Sequence, residues 1–316
     1  MKKALVLGGG GFIGSHLVKK LKDTGYWVRS SDIKYPEFSK SEADDFVLCD
    51  LRNFDETKNI FHIAQGFDEV YQLAADMGGA TYINCGENDA NVISNSVTIN
   101  LNVAKLSILF SVKKLFFSSS ACVYRALNDR ASCIEDDVYP AFPDNEYGWE
   151  KIFSERMYQA YRKNYGLNIR IARFHSIVGP ESVWTGGKEK AHSALARKVA
   201  AVEPGGVIDI IGDGKQIRTF LYVDDCIDAV IALMNSDIRE PVNIGSDSLI
   251  SITDYVLLLK KISKKEFNLN YIEGPTGVKE RECSIEKIKN SLRWEPQVNL
   301  ELATKLTYDW IKDQLG

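Results

Sequence analysis

Along most of the first 175 residues, short apolar runs alternate with longer stretches in which apolar residues recur every three or four positions. The runs at 3–7, 27–31, 46–49, 69–73 and 167–173, and the one that leads into Phe116-Phe117, read as strands of a buried parallel sheet. Helical periodicity fills the gaps: through Leu17 and Leu21, over 88–111 with Val92, Val97, Leu101 and Val103, and from Tyr147 to about residue 165. This alternation predicts an α/β fold, a Rossmann-type doubly wound parallel sheet with ligands beyond the carboxyl ends of its strands. From Glu181 the pattern loosens into a glycine-rich basic loop at 184–190, a turn at Gly212-Asp-Gly214 and helices at 253–264 and 300–314. The stretch 218–225 is expected to return the chain to the sheet. The implied division is a dinucleotide-binding domain over 1–175, rejoined by 221–247. A smaller C-terminal α/β substrate-binding domain takes 176–220 and 248–316.

Composition narrows the class. The chain has 316 residues, 45% hydrophobic and 26% charged, as expected of a globular protein with a substantial core. A net charge of −4 leaves no footprint of nucleic-acid binding. No apolar run approaches a membrane span, and Met1-Lys-Lys leads straight into a strand rather than a signal peptide. The six cysteines are scattered without paired spacing, which argues against a metal site and against a disulfide framework. A cytoplasmic enzyme is the expectation.

The candidate chemistry begins at Gly8, Gly11 and Gly14, which flank Phe12 and Ile13 between a strand and a helix. Small residues there let the backbone approach a pyrophosphate at the helix N-terminus. Asp32 closes the next strand, where a carboxylate can bind a ribose 2′-hydroxyl and favours NAD over NADP. The bland alternative is an aspartate capping a turn, with Lys34 nearby to soften the discrimination. Asp50-Leu51 ends the third strand and suits an adenine edge, and Ala74 opens a small-residue stretch where a cofactor would pass. Further on, Tyr147 and Lys151 lie four residues apart on one helical face, and Ser120 ends a strand. An ammonium beside a phenol is expected to lower its pKa and make a proton acceptor, with Ser120 holding the substrate oxygen. Such a trio oxidises an alcohol when a hydride acceptor is present. Lys188, Lys190, Arg218 and Arg281 sit in loops of an acidic chain and would converge on an anionic substrate, a diphosphate foremost.

With these residues assembled, the chain resembles the extended short-chain dehydrogenase/reductases that act on nucleotide sugars, and within them the GDP-mannose 3,5-epimerase family. The matches are Ala75-Asp-Met-Gly-Gly79, Ser119-Ser-Ala-Cys122-Val-Tyr124, Tyr147-Gly-Trp-Glu-Lys151, Arg173-Phe-His175, Gly186-Gly-Lys-Glu-Lys190-Ala, Gly212-Asp-Gly214 with Arg218-Thr-Phe220, and Arg239-Glu-Pro-Val-Asn-Ile-Gly-Ser-Asp247. The resemblance implies a bound NAD that is oxidised again by the end of each turnover, with Tyr147 and Ser120 in the redox step and Lys151 also on the nicotinamide ribose. It implies Cys122 and Lys190 as the epimerising base and acid, and Met77, Gly78, Ser176, Lys188, Lys190, Arg218 and Arg281 around the nucleotide sugar. It also implies a homodimer through the helices at 88–111 and 147–165.

Related 4-epimerases typically carry Thr in place of Cys122, and related 4,6-dehydratases an Asp-Glu pair in place of Ala121-Cys122. Departures from the family also stand out. Ser176 replaces Asn, Lys188 replaces the plant Arg, and Ser284 replaces an acidic residue, all facing the substrate rather than the chemistry. They leave room for a changed sugar or for epimerisation at one carbon. A 4-epimerase, 4-dehydrogenase or 4-reductase on a related GDP-sugar, or a non-catalytic NAD-binding module, are the alternatives.

Overall fold

The computed structural model describes residues 1–125, 130–274 and 278–316. Gly277, four positions before Arg281, lies outside the described residues. A seven-stranded sheet organises the rest, in the order Val242–Ile244, Ile169–Phe174, Lys114–Ser120, Glu69–Gln72, Lys3–Leu7, Trp27–Asp32, Asp45–Leu48. Every pairing in it is parallel. The chain winds outward in both directions from Lys3–Leu7, so the crevice of the fold opens beyond the carboxyl ends of Lys3–Leu7 and Glu69–Gln72.

The unbroken apolar runs follow from burial of both faces. Ala4 and Val6 pack with the helices Phe12–Asp23 and Val223–Asn235 through Leu17, Val18, Leu21 and Val230. Leu5 and Leu7 face the other way, onto a core that includes Val103, Leu106, Phe117 and Tyr158 from the opposite layer. The alternation of Cβ directions along each strand produces these two cores. The helix Asp89–Leu109 is long and apolar enough, at a mean hydropathy of 1.2, to cross a membrane by composition alone. Its buried side also carries polar residues. Asn100 donates to Glu150 at 2.8 Å and Asn102 to the carbonyl of Leu51 at 2.9 Å, which marks a packing helix of the core.

A four-stranded sheet, in the order Leu249–Ser251, Ile217–Thr219, Glu280–Cys283, Arg130–Cys133, stands beyond the crevice. Here the reading of 218–225 needs correction. Ile217–Thr219 belongs to this smaller sheet, and Leu221–Tyr222 pairs with Ile177–Val178 outside both sheets. Only Val242–Ile244 rejoins the main one. Residues 130–133 lie in the smaller sheet as well, paired in register with Glu280–Cys283. Parallel pairing of Ile217 with Glu280 brings Arg218 and Arg281 side by side on neighbouring strands.

Candidate active site

The glycine turn after Lys3–Leu7 is built for close backbone approach. Gly8 has φ +89°, and a Cβ there would stand 2.7 Å from the Ala74 nitrogen. A Cβ on Gly14 would meet the Gly8 carbonyl oxygen at 2.1 Å, so the helix seats directly on the turn. Phe12–Asp23 begins without an acidic residue in its first turn or a capping side chain, leaving its N–H groups for a pyrophosphate. Phe12 and Ile13 are half-buried against the core behind this turn. Asp32 reaches back across it: Oδ2 accepts from the Gly10 N–H at 3.0 Å and Oδ1 from the Ile33 N–H at 2.7 Å. Burial raises the Asp32 pKa against those N–H groups. The carboxylate therefore caps the turn and keeps lone pairs for a ribose diol. Lys34 is turned to Glu37 at 3.3 Å. Ala74 lies where the second wall of the crevice begins, and Leu51 is buried beneath it in the core. Asp50 is already paired, with its Oδ2 2.6 Å from Arg52 Nη2. What it offers an adenine edge is thus an ion-paired carboxylate. These features fit a dinucleotide.

At the carboxyl end of Lys114–Ser120, Ser120 accepts from the Cys122 N–H at 3.1 Å and lines the same cavity as the Tyr147 phenol. Tyr147 stands on the first turn of Glu146–Tyr165, a helix capped by Asn145, whose side chain accepts from the Gly148 N–H at 2.9 Å. A Cβ on Gly148 would lie 2.3 Å from the Cys122 carbonyl oxygen, so glycine is what lets this helix press onto the Cys122 turn. Lys151 is buried, its Nζ 5.4 Å from the centre of the Tyr147 ring, 4.9 Å from that of Phe117 and 3.5 Å from Glu150 Oε2. The expected lowering of the Tyr147 pKa does not occur. Burial pushes the phenol well up, the Cys122 and Glu150 charges add to this, and only the nearby Ser120 hydroxyl opposes it. The physical reason is that Lys151 sits over the rings and against Glu150 rather than on the phenolic oxygen.

A cavity of about 720 Å³ opens in front of this group. Met77, Gly78, Ser120, Cys122, Tyr147, Ser176, Lys190, Arg218 and Arg281 all line it, joined by Asp144, His175, His192 and Phe220. Lys188 does not. Its ammonium lies 4.0 Å over the Tyr82 ring and 3.6 Å from Asp76, while its carbonyl accepts from the Gly79 N–H at 2.9 Å. It braces the cavity's rim.

The electrostatics of the cavity are cationic. Burial lowers the Lys190 pKa, partly offset by Cys122, which brings its ammonium closer to use as a neutral-range acid or base. Burial and the neighbouring Arg281 charge press the Arg218 pKa down to about 10. Two guanidinium groups on adjacent strands thus gain from an anion placed between them. His175 and His192 are held neutral, both pushed down to about 3 chiefly by burial.

Behind the cavity, Arg173 is clamped by Glu155 at 2.9 and 2.8 Å and donates to the Tyr124 hydroxyl at 2.9 Å. Tyr124 passes the contact on to Asn243 at 2.8 Å. Burial works against the Arg173 charge, but Glu155 outweighs it and the pKa is raised. These motif residues therefore join the helix Glu146–Tyr165 to both sheets rather than touching the cavity. Asp144, His192 and Glu150 were missed by sequence reasoning. Asp144 alone had a signal, an acidic residue in the loop just ahead of the Tyr147 helix.

A glycine cradle, a strand-end carboxylate and a Ser-Tyr-Lys group at the carboxyl ends of the main sheet's strands define a dinucleotide-dependent enzyme that acts on a hydroxyl-bearing substrate. The chain belongs to the NAD dependent epimerase/dehydratase family, whose model matches residues 4–245. It is 38% identical over 315 residues to GDP-mannose 3,5-epimerase 1 of Oryza sativa subsp. japonica, covering 98% of this chain and 82% of that one. To GDP-mannose 3,5-epimerase of Arabidopsis thaliana it is 37% identical over 319 residues, covering 99% and 83%. Among solved structures, the UDP-glucose 4-epimerase of Thermotoga maritima with UDP-glucose matches with a TM-score of 0.88 at 26% identity, covering 99% of this chain and 100% of that one. The fold, the family and its NAD dependence are those that the sequence motifs implied.

Proposed function

We propose that this protein is a nucleotide-sugar epimerase that inverts carbon 3, carbon 5 or both of a GDP-mannose-type sugar through a transient 4-keto sugar. One observation carries the reading: Cys122 and Lys190 face the same cavity as the Ser120–Tyr147 pair. Moving a hydride to and from carbon 4 needs only the latter pair, whereas a thiol and an amine in addition supply proton chemistry at carbon. Similarity to the two plant enzymes supports the choice of sugar and nucleotide.

When bound, NAD would be held by the turn at Gly8, Gly11 and Gly14 with Asp32 at its ribose, and would supply reversible hydride chemistry at carbon 4. Ser120 holds the 4-oxygen and Tyr147 takes its proton. Burial favours the neutral phenol in the free protein, so the phenolate that takes this proton has to form once the cavity is filled. The ketone acidifies the protons at carbons 3 and 5, which no side chain could remove from the parent sugar. Cys122 takes such a proton, and Lys190 returns one on the opposite face. Arg218 and Arg281 grip the diphosphate, and Met77, Gly78 and Ser176 shape the sugar end of the cavity. Incubation with GDP-mannose and assignment of the product by proton NMR tests this. Inversion at carbon 3 or 5 is expected, and inversion confined to carbon 4 would make the protein a 4-epimerase.

The same reading extends to a homodimer. Ile93, Val97, Trp149 and Phe153 form an apolar groove across Asp89–Leu109 and Glu146–Tyr165, with Phe153 47% exposed. A second copy laid on these helices would cover it. Light scattering should give a dimer that Phe153→Glu dissociates, and a wild-type monomer at micromolar concentration would refute it.

A further inference from the structure

Arg281 was expected to contact the substrate's diphosphate, and its guanidinium is already engaged by protein groups. Nη1 donates to the Cys122 sulfur at 3.4 Å, and Nη2 donates to Asp144 Oδ2 at 3.0 Å. The three residues come from distant parts of the chain: the turn after Lys114–Ser120, the loop before the Tyr147 helix, and the strand Glu280–Cys283. All three line the cavity. The pair is largely shielded, with the Arg281 side chain 17% exposed and that of Asp144 33%. Cys122 N–H is itself held by Ser120 at 3.1 Å, so backbone and sulfur are both restrained.

We infer that Asp144 and Arg281 are positioning residues for Cys122: Asp144 anchors the guanidinium, and the guanidinium fixes the sulfur toward the cavity and meets the negative charge on it. The inference deepens the proposed function, since it rests on Cys122 acting as the base. Proton removal at carbon leaves the proton on sulfur, and the base must be the thiolate beforehand. A guanidinium N–H pointed at that sulfur supplies a fixed countercharge where water cannot rearrange freely. Arg281 has five N–H donors, so a bond to Cys122 and one to Asp144 leave others for a phosphate. Of the remaining cations in the cavity, Arg218 donates at 2.7 Å to the carbonyl of Ile217, and Lys190 heads the helix Ala191–Ala201. Among the described residues, Arg281 is the cation that hydrogen-bonds the sulfur.

Thiol labelling tests this without substrate or turnover, and Cys85, an exposed cysteine outside the cavity, serves as internal reference. The rate of iodoacetamide labelling at Cys122 relative to Cys85 is read by peptide mass spectrometry at a single neutral pH. Arg281→Ala should slow Cys122 by about 10-fold or more, while Arg281→Lys should retain part of the rate. Asp144→Asn should slow it too, and should add no further loss in the Arg281→Ala background, because it acts through that arginine. Circular dichroism confirms the fold of each variant, and the lysine variant keeps the test open where the alanine variant fails to fold. Unchanged Cys122 labelling in Arg281→Lys and Asp144→Asn, or an Asp144→Asn loss that persists without Arg281, overturns the inference and leaves the epimerase reading standing. The expected labelling pattern in a protein that inverts only carbon 4 upholds the positioning of Cys122 and refutes inversion at carbon 3 or 5 instead.

Discussion

Tyr147 shows how far a residue's role can be read from its neighbours in sequence. The four-residue spacing to Lys151 does place both on one helical face, yet the ammonium settles 5.4 Å from the ring centre and against Glu150, and burial dominates the phenol. A spacing rule reports direction, not desolvation. Tyr147→Phe removes the hydroxyl and keeps the ring packing. Its thermal unfolding should stay near wild type while turnover falls by at least ~10²-fold. A folded variant with near-normal turnover would remove Tyr147 from the redox step. Arg281 taught the complementary lesson: it was legible as a cavity residue although it stands on the strand Glu280–Cys283 rather than in a loop, whereas its anchor Asp144 showed only as an acidic residue ahead of the Tyr147 helix. Nothing in the local pattern of residues 140–146 records a partner more than a hundred positions away.

The central strands of the main sheet, such as Lys3–Leu7 and Glu69–Gln72, were legible because burial on both faces makes them read as short apolar runs, whereas the edge strand Asp45–Leu48 is only half-buried. Their predicted and observed bounds differ by a residue or two, as between 167–173 and Ile169–Phe174. The smaller sheet was not legible. Arg130–Cys133 and Ile217–Thr219 are too short to show a period, and their pairing with Glu280–Cys283 spans long stretches of chain. Yet this sheet supplies Arg281 and Arg218, two of the three cations Lys190, Arg218 and Arg281 that line the cavity. The seating of the Tyr147 helix is another property of the element. Gly148→Ala forces a Cβ to 2.3 Å from the Cys122 carbonyl oxygen, and backbone must move. Overpacking of this kind costs about 1–3 kcal/mol. Urea denaturation should show that loss, and activity should fall further than stability explains because Tyr147 and Cys122 shift together. A variant with wild-type stability and turnover would mean that the helix and the turn are not in tight contact.

For the molecule as a whole, the two cavity histidines tie stability to pH. Both are pushed down to about 3 from 6.5, mainly by burial, so the unfolded chain takes up protons before the folded one does. Their contribution is complete above about pH 6.5 and is lost as pH falls toward 3. The melting temperature should therefore drop across that window, and His192→Gln should flatten the decline. An unchanged slope in the variant would mean that His192 does not stay neutral in the folded protein. The assembled cavity also sets the central claim, that a redox pair and a proton-transfer pair share one sugar. Solvent deuterium tests it most directly. Wild-type protein turning over its sugar nucleotide in deuterated water should place deuterium at carbon 3 or carbon 5, and Cys122→Ala should oxidise carbon 4 while that incorporation is suppressed. Product formed by the wild type with no deuterium at either carbon would contradict the account.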